Sequence, residues 1–407
     1  MLLRSATMLY LVLLLVSSSS GATAYTQNTQ LAGSKQSPIS DQLLWQYALP
    51  ATPVFAEINA QGDKIAVVTN TTPNHLLLLD AGRGLHLWNF TPPEPPSTNI
   101  TCLSLAADGE YVAIGTTDGS VYILEGDSGE IIQNWSLPGT IREVALSEHG
   151  TFLVIAVAGF LIYANRLQST FLWSQYLAEP PHHFSALTFS RIGSSFVAGT
   201  TDGHLYSIQT GDGEILWEHT FDAAVNHLSL TTDDSLLLAA TENTCVIFSS
   251  NGLAQQEYNL EFEAFALSRF GEYFALAQNN LVYIYSDHQP LPDSNYTFPS
   301  PISTLALPRN GEYLLAGDIS GTIYVLYTQG TRFLWSTTFN EPILNFLTPE
   351  DESYFILVTP TSVMGFLLVS WMVGFYSTQA LVFLALSTIA LVALVLWLLF
   401  PRRKLKP

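Results

Sequence analysis

Positive charge is scarce in this sequence: Lys and Arg number 14 among 407 residues, against 34 Asp and Glu. All the acidic residues fall between positions 25 and 379, where only nine of the basic ones lie, so that stretch is near −25. A surface of that sign repels phosphate backbones and anionic headgroups, which excludes a nucleic-acid partner. Cysteine is almost absent. Cys102 and Cys245 lie 143 positions apart, and two thiols cannot staple a domain of this size, so a large apolar core must stabilise it. Both sit in apolar, strand-like segments and are expected as buried free thiols, with one bridge open if the fold brings them together. The sequence also lacks CxxC, HExxH and a GxSxG elbow.

Other partial signals fail on context. Gly115, Gly119 and Gly126 recur with turns and form no strand–GxGxxG–helix unit. The run Glu125-Gly-Asp-Ser-Gly129 has Glu in place of the first aspartate of a calcium loop and no distal Glu. His182 and His183 are adjacent in an extended segment, so their rings point to opposite sides and chelate poorly. No catalytic, cofactor or metal residue is assigned.

The two ends differ in kind from the middle. Arg4, the apolar run Met8 to Val16, four serines and Ala22-Thr-Ala24 describe a signal peptide over 1–24, too short to span a bilayer. An uncleaved anchor is the alternative. From Ala380 to Phe400 runs an uncharged apolar stretch of 21 residues, about 31 Å as a helix and long enough to cross the hydrocarbon layer. The tail at 401–407 follows with four basic residues and no acidic one, which fixes the cytoplasmic side. The expectation is a single-pass type I membrane protein: linker 25–42, exterior or lumenal domain 43–369, juxtamembrane segment 370–379, transmembrane helix 380–400. Sequons at Asn70, Asn89, Asn99, Asn134 and Asn295 suit a glycosylated exterior domain.

Between the ends one phrase recurs: apolar strand, turn, apolar strand, tight turn, third strand, then a strand carrying Leu-Trp. Its first turn falls at Gly62, Gly109, Gly150, Gly193, Asp234, Gly271, Gly311 and Asp351, 37 to 47 residues apart. That spacing suits a four-stranded propeller blade. The strands are β-branched and aromatic without a 3.6-residue stripe. Asp118-Gly119 and Asp202-Gly203 are the pairs that a two-residue type I′ hairpin wants. Leu-Trp at 44–45, 87–88, 172–173, 216–217 and 334–335 places a tryptophan on outer strands, to fill the wedge between neighbouring sheets. The N-terminal strand 43–49 has outer-strand phase, and the last repeat, 342–368, lacks an outer strand. The prediction is an all-β, eight-bladed propeller closed by the N-terminal strand, or seven blades if 342–368 is not a blade.

Gln209-Thr-Gly-Asp-Gly-Glu-Ile-Leu-Trp217 resembles the repeat phrase of the PQQ-like (quinoprotein-type) propellers. The turns at Asp108-Gly109, Asp118-Gly119 and Asp202-Gly203 resemble those of WD40-type repeats. The resemblance covers roughly 43–368 and implies the fold. Enzymes of the quinoprotein family hold their cofactor beneath a disulfide of adjacent cysteines with calcium nearby, and this chain has no such cysteine pair. The resemblance therefore implies the non-enzymatic members, which act as assembly scaffolds in membrane complexes. The expected function is protein docking without a cofactor. Alternatives are a quinone- or metal-dependent oxidoreductase, and a sugar or small-ligand receptor. The outer-to-inner connections fall on one face of the disc and carry Glu94, Glu179, His182, Asp222 and Glu341, the candidate partner face.

Overall fold

The structure, a computed structural model, describes residues 42–93, 98–259, 261–286, 289, 291–308, 310–329, 333–350 and 354–368, with the backbone of 29–30. The segments read as signal peptide, juxtamembrane segment, membrane helix and basic tail lie outside the described residues. Among those described, no helix is long and apolar enough to cross a membrane.

The described chain is all β, with 33 strands. After β1 (Thr29–Gln30) and β2 (Leu43–Ala48), strands β3 to β30 form seven consecutive four-stranded antiparallel meanders. These are blades 1 to 7, at 53–90, 100–136, 141–176, 184–220, 227–259, 264–297 and 302–338. Blade 8 takes its three inner strands from 345–367 (β31–β33) and its outer strand from β2. Leu43 pairs with Phe366 and Ala48 with Ser362, antiparallel. The eight-blade reading and the closure by the N-terminal strand therefore both hold. β1 adds a fifth, parallel strand to the outer edge of blade 6, pairing Thr29 with Tyr296 and Gln30 with Thr297.

Both faces of each blade are apolar because each sheet is covered on both sides by its neighbours. Eight buried clusters result, one between each pair of adjacent blades. The seam between blades 8 and 1 is built like the rest: Ile356, Val358 and Val363 meet Ile65, Val67 and Leu79, all at most 2% exposed. Burying each such side chain stabilises by about 1.5–3 kcal/mol.

The tryptophans do more than fill space. Indole Nε1 of Trp45, Trp88, Trp173 and Trp217 donates to a carbonyl in the next blade: Ala81, Gly126, Thr210 and Ser250, at 2.9–3.2 Å. Each ring lies on the turn glycine of that blade, Gly84, Gly129, Gly213 or Gly252, where an added Cβ would fall 2.2–3.2 Å from the ring. Tyr258 and Tyr296 make the corresponding bonds from blades 5 and 6, to the carbonyls of Gln289 and Tyr327. The leucine preceding those four tryptophans stays 42–50% exposed on the rim.

Seven of the eight first-turn markers have left-handed backbone, φ +56° to +78°; the eighth, Asp351, lies outside the described residues. The Asp-Gly turns correct the expectation of type I′ hairpins. Gly119 (+88°) and Gly203 (+90°) have positive φ but Asp118 and Asp202 do not, and Gly119 N bonds Thr116 O at 3.3 Å. This is the three-residue loop ending in a left-handed glycine. Asp118 serves it by accepting from the Thr116 hydroxyl (2.6 Å) and from Ser120 N (3.2 Å). A Cβ on Gly119 would fall 2.0 Å from the Leu137 carbonyl oxygen, so the loop nests against the next connection.

Candidate functional site

Because the strands of each blade alternate in direction, the outer-to-inner connections and the second turns share one face of the disc. The first and third turns share the other. On the connection face, Glu179 and His182 occupy the link between blades 3 and 4, and Asp222 that between blades 4 and 5; all three are exposed. Their side chains make no hydrogen bond or ion pair among the described residues, while His182 N bonds Glu179 O at 2.9 Å. Glu94 lies outside the described residues. Glu341, between blades 7 and 8, is half-buried and held internally: its carboxylate accepts from the hydroxyls of Thr359 (2.7 Å), Thr361 (2.7 and 2.9 Å) and Ser362 (3.4 Å). That carboxylate latches the second turn of blade 8, a role the sequence did not announce.

Among the sequons, Asn70, Asn89 and Asn134 are exposed, whereas the Oδ1 atoms of Asn99 and Asn295 are buried without a partner. Asn295 belongs to the outer strand of blade 6, beside the residues that β1 pairs. Cys102 in blade 2 and Cys245 in blade 5 are buried and free, three blades apart, and burial pushes both thiols upward. Among the described residues no group of three or more His, Cys, Asp or Glu could hold a metal ion.

The innermost strands enclose a second, unforeseen site. A cavity of about 690 Å³ is lined by inner strands of blades 1 to 5, by the first turns of blades 1 to 4 and by Glu350 of blade 8. Glu57 occupies one ring position in blade 1 and Ser104 the same position in blade 2. Glu57 Oε2 accepts from Leu105 N at 3.1 Å, and Ser104 Oγ from Leu146 N at 3.0 Å, each reaching the following blade. Burial outweighs that bond and pushes the Glu57 carboxyl up to about 8; burial alone takes Glu143, in blade 3, to about 8. The signal in the sequence was there: PVFAEI and IREVAL each put a carboxylate into an inner strand, where Ser104, Thr188 and Ser229 match Glu57, and Cys102, Ala186 and His227 match Glu143.

At the first-turn end an ion-pair network crosses the ring. Arg191 of blade 4 contacts Glu350 of the opposite blade 8 at 2.5 and 3.2 Å, and lies 3.7 Å from Glu148. Arg269 of blade 6 joins the same carboxylate at 3.3 Å and the Glu350 carbonyl at 2.7 Å. Of the five ionisable side chains among the described residues that line the cavity, four are acidic, and the base, Arg191, is engaged at its end.

Residues 16–152 match a PQQ-like repeat family, PQQ_2, described as outer membrane protein assembly factor BamB. Among curated proteins the chain is similar to eukaryotic translation initiation factor 3 subunit I of Aspergillus terreus, 26% identical over 159 residues. The match covers 35% of this chain and 47% of that protein, so the chain spans about half of that relative's length. Among solved structures, BamB from Moraxella catarrhalis superposes with a TM-score of 0.61 at 13% identity, covering 80% of this chain and 99% of that one. Sqt1 of Chaetomium thermophilum, solved bound to the N-terminus of a ribosomal protein, does so at 0.62 and 11%, covering 78% and 97%. The chain is thus an eight-bladed β-propeller that carries a PQQ-like repeat match over residues 16–152 and shares its fold with both PQQ-like and WD40-type propellers.

Proposed function

We propose that this chain is a non-catalytic docking propeller, which binds a protein partner on its connection face. A C-terminal membrane helix at 380–400 and a signal peptide at 1–24 would hold it on the extracellular or lumenal side, beside a membrane complex. The observation that carries the docking reading is the pairing of a rigid, fully closed ring with exposed, internally unengaged acidic side chains, Glu179 and Asp222, on the connections of one face. Rigid scaffolds with such loops are suited to partner recognition. It agrees with the relatives: Sqt1, of the same fold, is known bound to a ribosomal protein's N-terminus.

The test is capture of the partner from native membranes by the full chain. Reversing Glu179 and Asp222 to Lys should weaken capture and leave melting nearly unchanged, and the wild-type interaction should weaken with salt. Glu110 and Glu130, exposed on the opposite face, are the matched control pair. Equal loss from both pairs would assign the effect to bulk charge and reject this face. The membrane reading is checked separately: a chain ending near Ser377 should be released in soluble form, and the full chain should require detergent.

A further inference from the structure

We infer that the central cavity is a receptor for an organic cation, a primary ammonium or guanidinium group, with Glu143 and Glu57 as its anchors. This site lies on the inner strands, apart from the connection face, and goes beyond the docking function.

Three observations point to that chemistry. The cavity, about 690 Å³, is large enough for an extended basic side chain or a small diamine. Among the described residues its charged lining is mostly acidic: Glu57, Glu143, Glu148 and Glu350 stand against a single base. That base is already committed, since Arg191 pairs with Glu350 and approaches Glu148, while Arg269 adds a second cation to Glu350. Among the described residues Glu57 and Glu143 are paired with no cation. Glu57 receives one backbone N–H on Oε2, and Glu143, whose charge acts on the buried Cys102 thiol, has no hydrogen-bond partner among the described residues.

An isolated carboxyl on an inner strand is costly to bury, and at the position of Glu57 blades 2 to 5 carry serine, alanine or threonine. A cationic donor entering the cavity supplies what the anchors lack: it ionises them and takes their free lone pairs. Hydroxyls of Ser104, Thr188 and Ser229, which share the ring position of Glu57, are placed to accept further N–H groups. Binding therefore releases protons from carboxyls that burial holds protonated at neutral pH.

The probe is agmatine, with a capped Gly-Arg-Gly peptide as second ligand, titrated calorimetrically into the purified full chain. Two buffers of different ionisation enthalpy and pH values from 6 to 8.5 are compared. Affinity should rise with pH, approaching tenfold per unit for each carboxyl that must ionise, and proton release should appear as a buffer-dependent heat. Glu143→Gln keeps shape and neutrality, so melting at pH 6 should be unchanged while agmatine affinity falls tenfold or more. Glu110→Gln, at an exposed first-turn residue that does not line the cavity, should bind as wild type. Binding of agmatine but not of the peptide assigns the site to a free amine; binding of the peptide assigns it to a basic side chain of a partner. No binding of either probe, binding that ignores pH, or equal loss in Glu143→Gln and Glu110→Gln overturns the inference.

Discussion

At the scale of single residues, the two inner-strand carboxyls set a pH dependence whose sign is opposite to the usual one for acids. Their folded pKa values near 8 lie above the unfolded value of 4.5, so the folded state holds the protons more tightly. The stability this gives is complete below about pH 4.5 and is lost as pH rises to about 8, on the order of 1.4 kcal/mol per unit and per carboxyl. The double variant Glu57→Gln, Glu143→Gln should therefore match wild type in urea midpoint near pH 4.5 and exceed it progressively up to pH 8.5. Parallel midpoints across that range would refute the assignment. A second pair of residues separates backbone strain from crowding. Gly193 and Gly119 both have positive φ, but a Cβ on Gly193 meets nothing within 4 Å, whereas on Gly119 it strikes the Leu137 carbonyl. Gly193→Ala should cost about 1–2 kcal/mol from conformation alone, and Gly119→Ala distinctly more. Thermal melts of the two variants decide it.

At the scale of strands and turns, most of the architecture was legible. The first-turn markers, Leu-Trp strands and outer-strand phase of 43–49 each recur at fixed offsets, and repetition turns a weak local signal into a count of blades. What escaped the sequence was chemistry that depends on a neighbouring blade. Asp118-Gly119 has the composition of a type I′ hairpin, yet Thr116 and Ser120 bond the Asp118 carboxylate and select a longer loop. Glu341 reads as an exposed junction acid until the hydroxyls of the blade 8 turn are seen to surround it. The parallel pairing of Thr29 and Gln30 with blade 6 has no pattern in sequence at all. The interblade bonds make a prediction of their own. Trp217→Phe keeps the ring on Gly252 but removes the bond to the Ser250 carbonyl, so it should cost about 1 kcal/mol, and Trp217→Ala about 3–5 kcal/mol. A Phe variant as damaging as Ala would mean that the indole nitrogen, and not the ring, carries the contact.

For the whole molecule, charge and closure govern behaviour. With 34 acidic residues against 14 basic ones, self-repulsion opposes the compact state and salt relieves it. The melting temperature should rise between 50 and 500 mM NaCl, despite screening of the half-exposed Arg191–Glu350 pair, because such pairs contribute at most about 1 kcal/mol. A fall over that range would show that the ring-spanning ion pairs outweigh the net charge.

The pairing of β2 with the last strand also orders events in time. Ala48 meets Ser362, so on a ribosome the closing strand waits while roughly 300 further residues are made. At about 5–20 residues per second that is roughly 15–60 s. Throughout it the segment Leu43-Leu-Trp-Gln-Tyr-Ala48 has no native partner, and blade 1 offers Ala81 to an indole that nothing yet holds in place. The strand that seals the ring is thus among the first made and the last used.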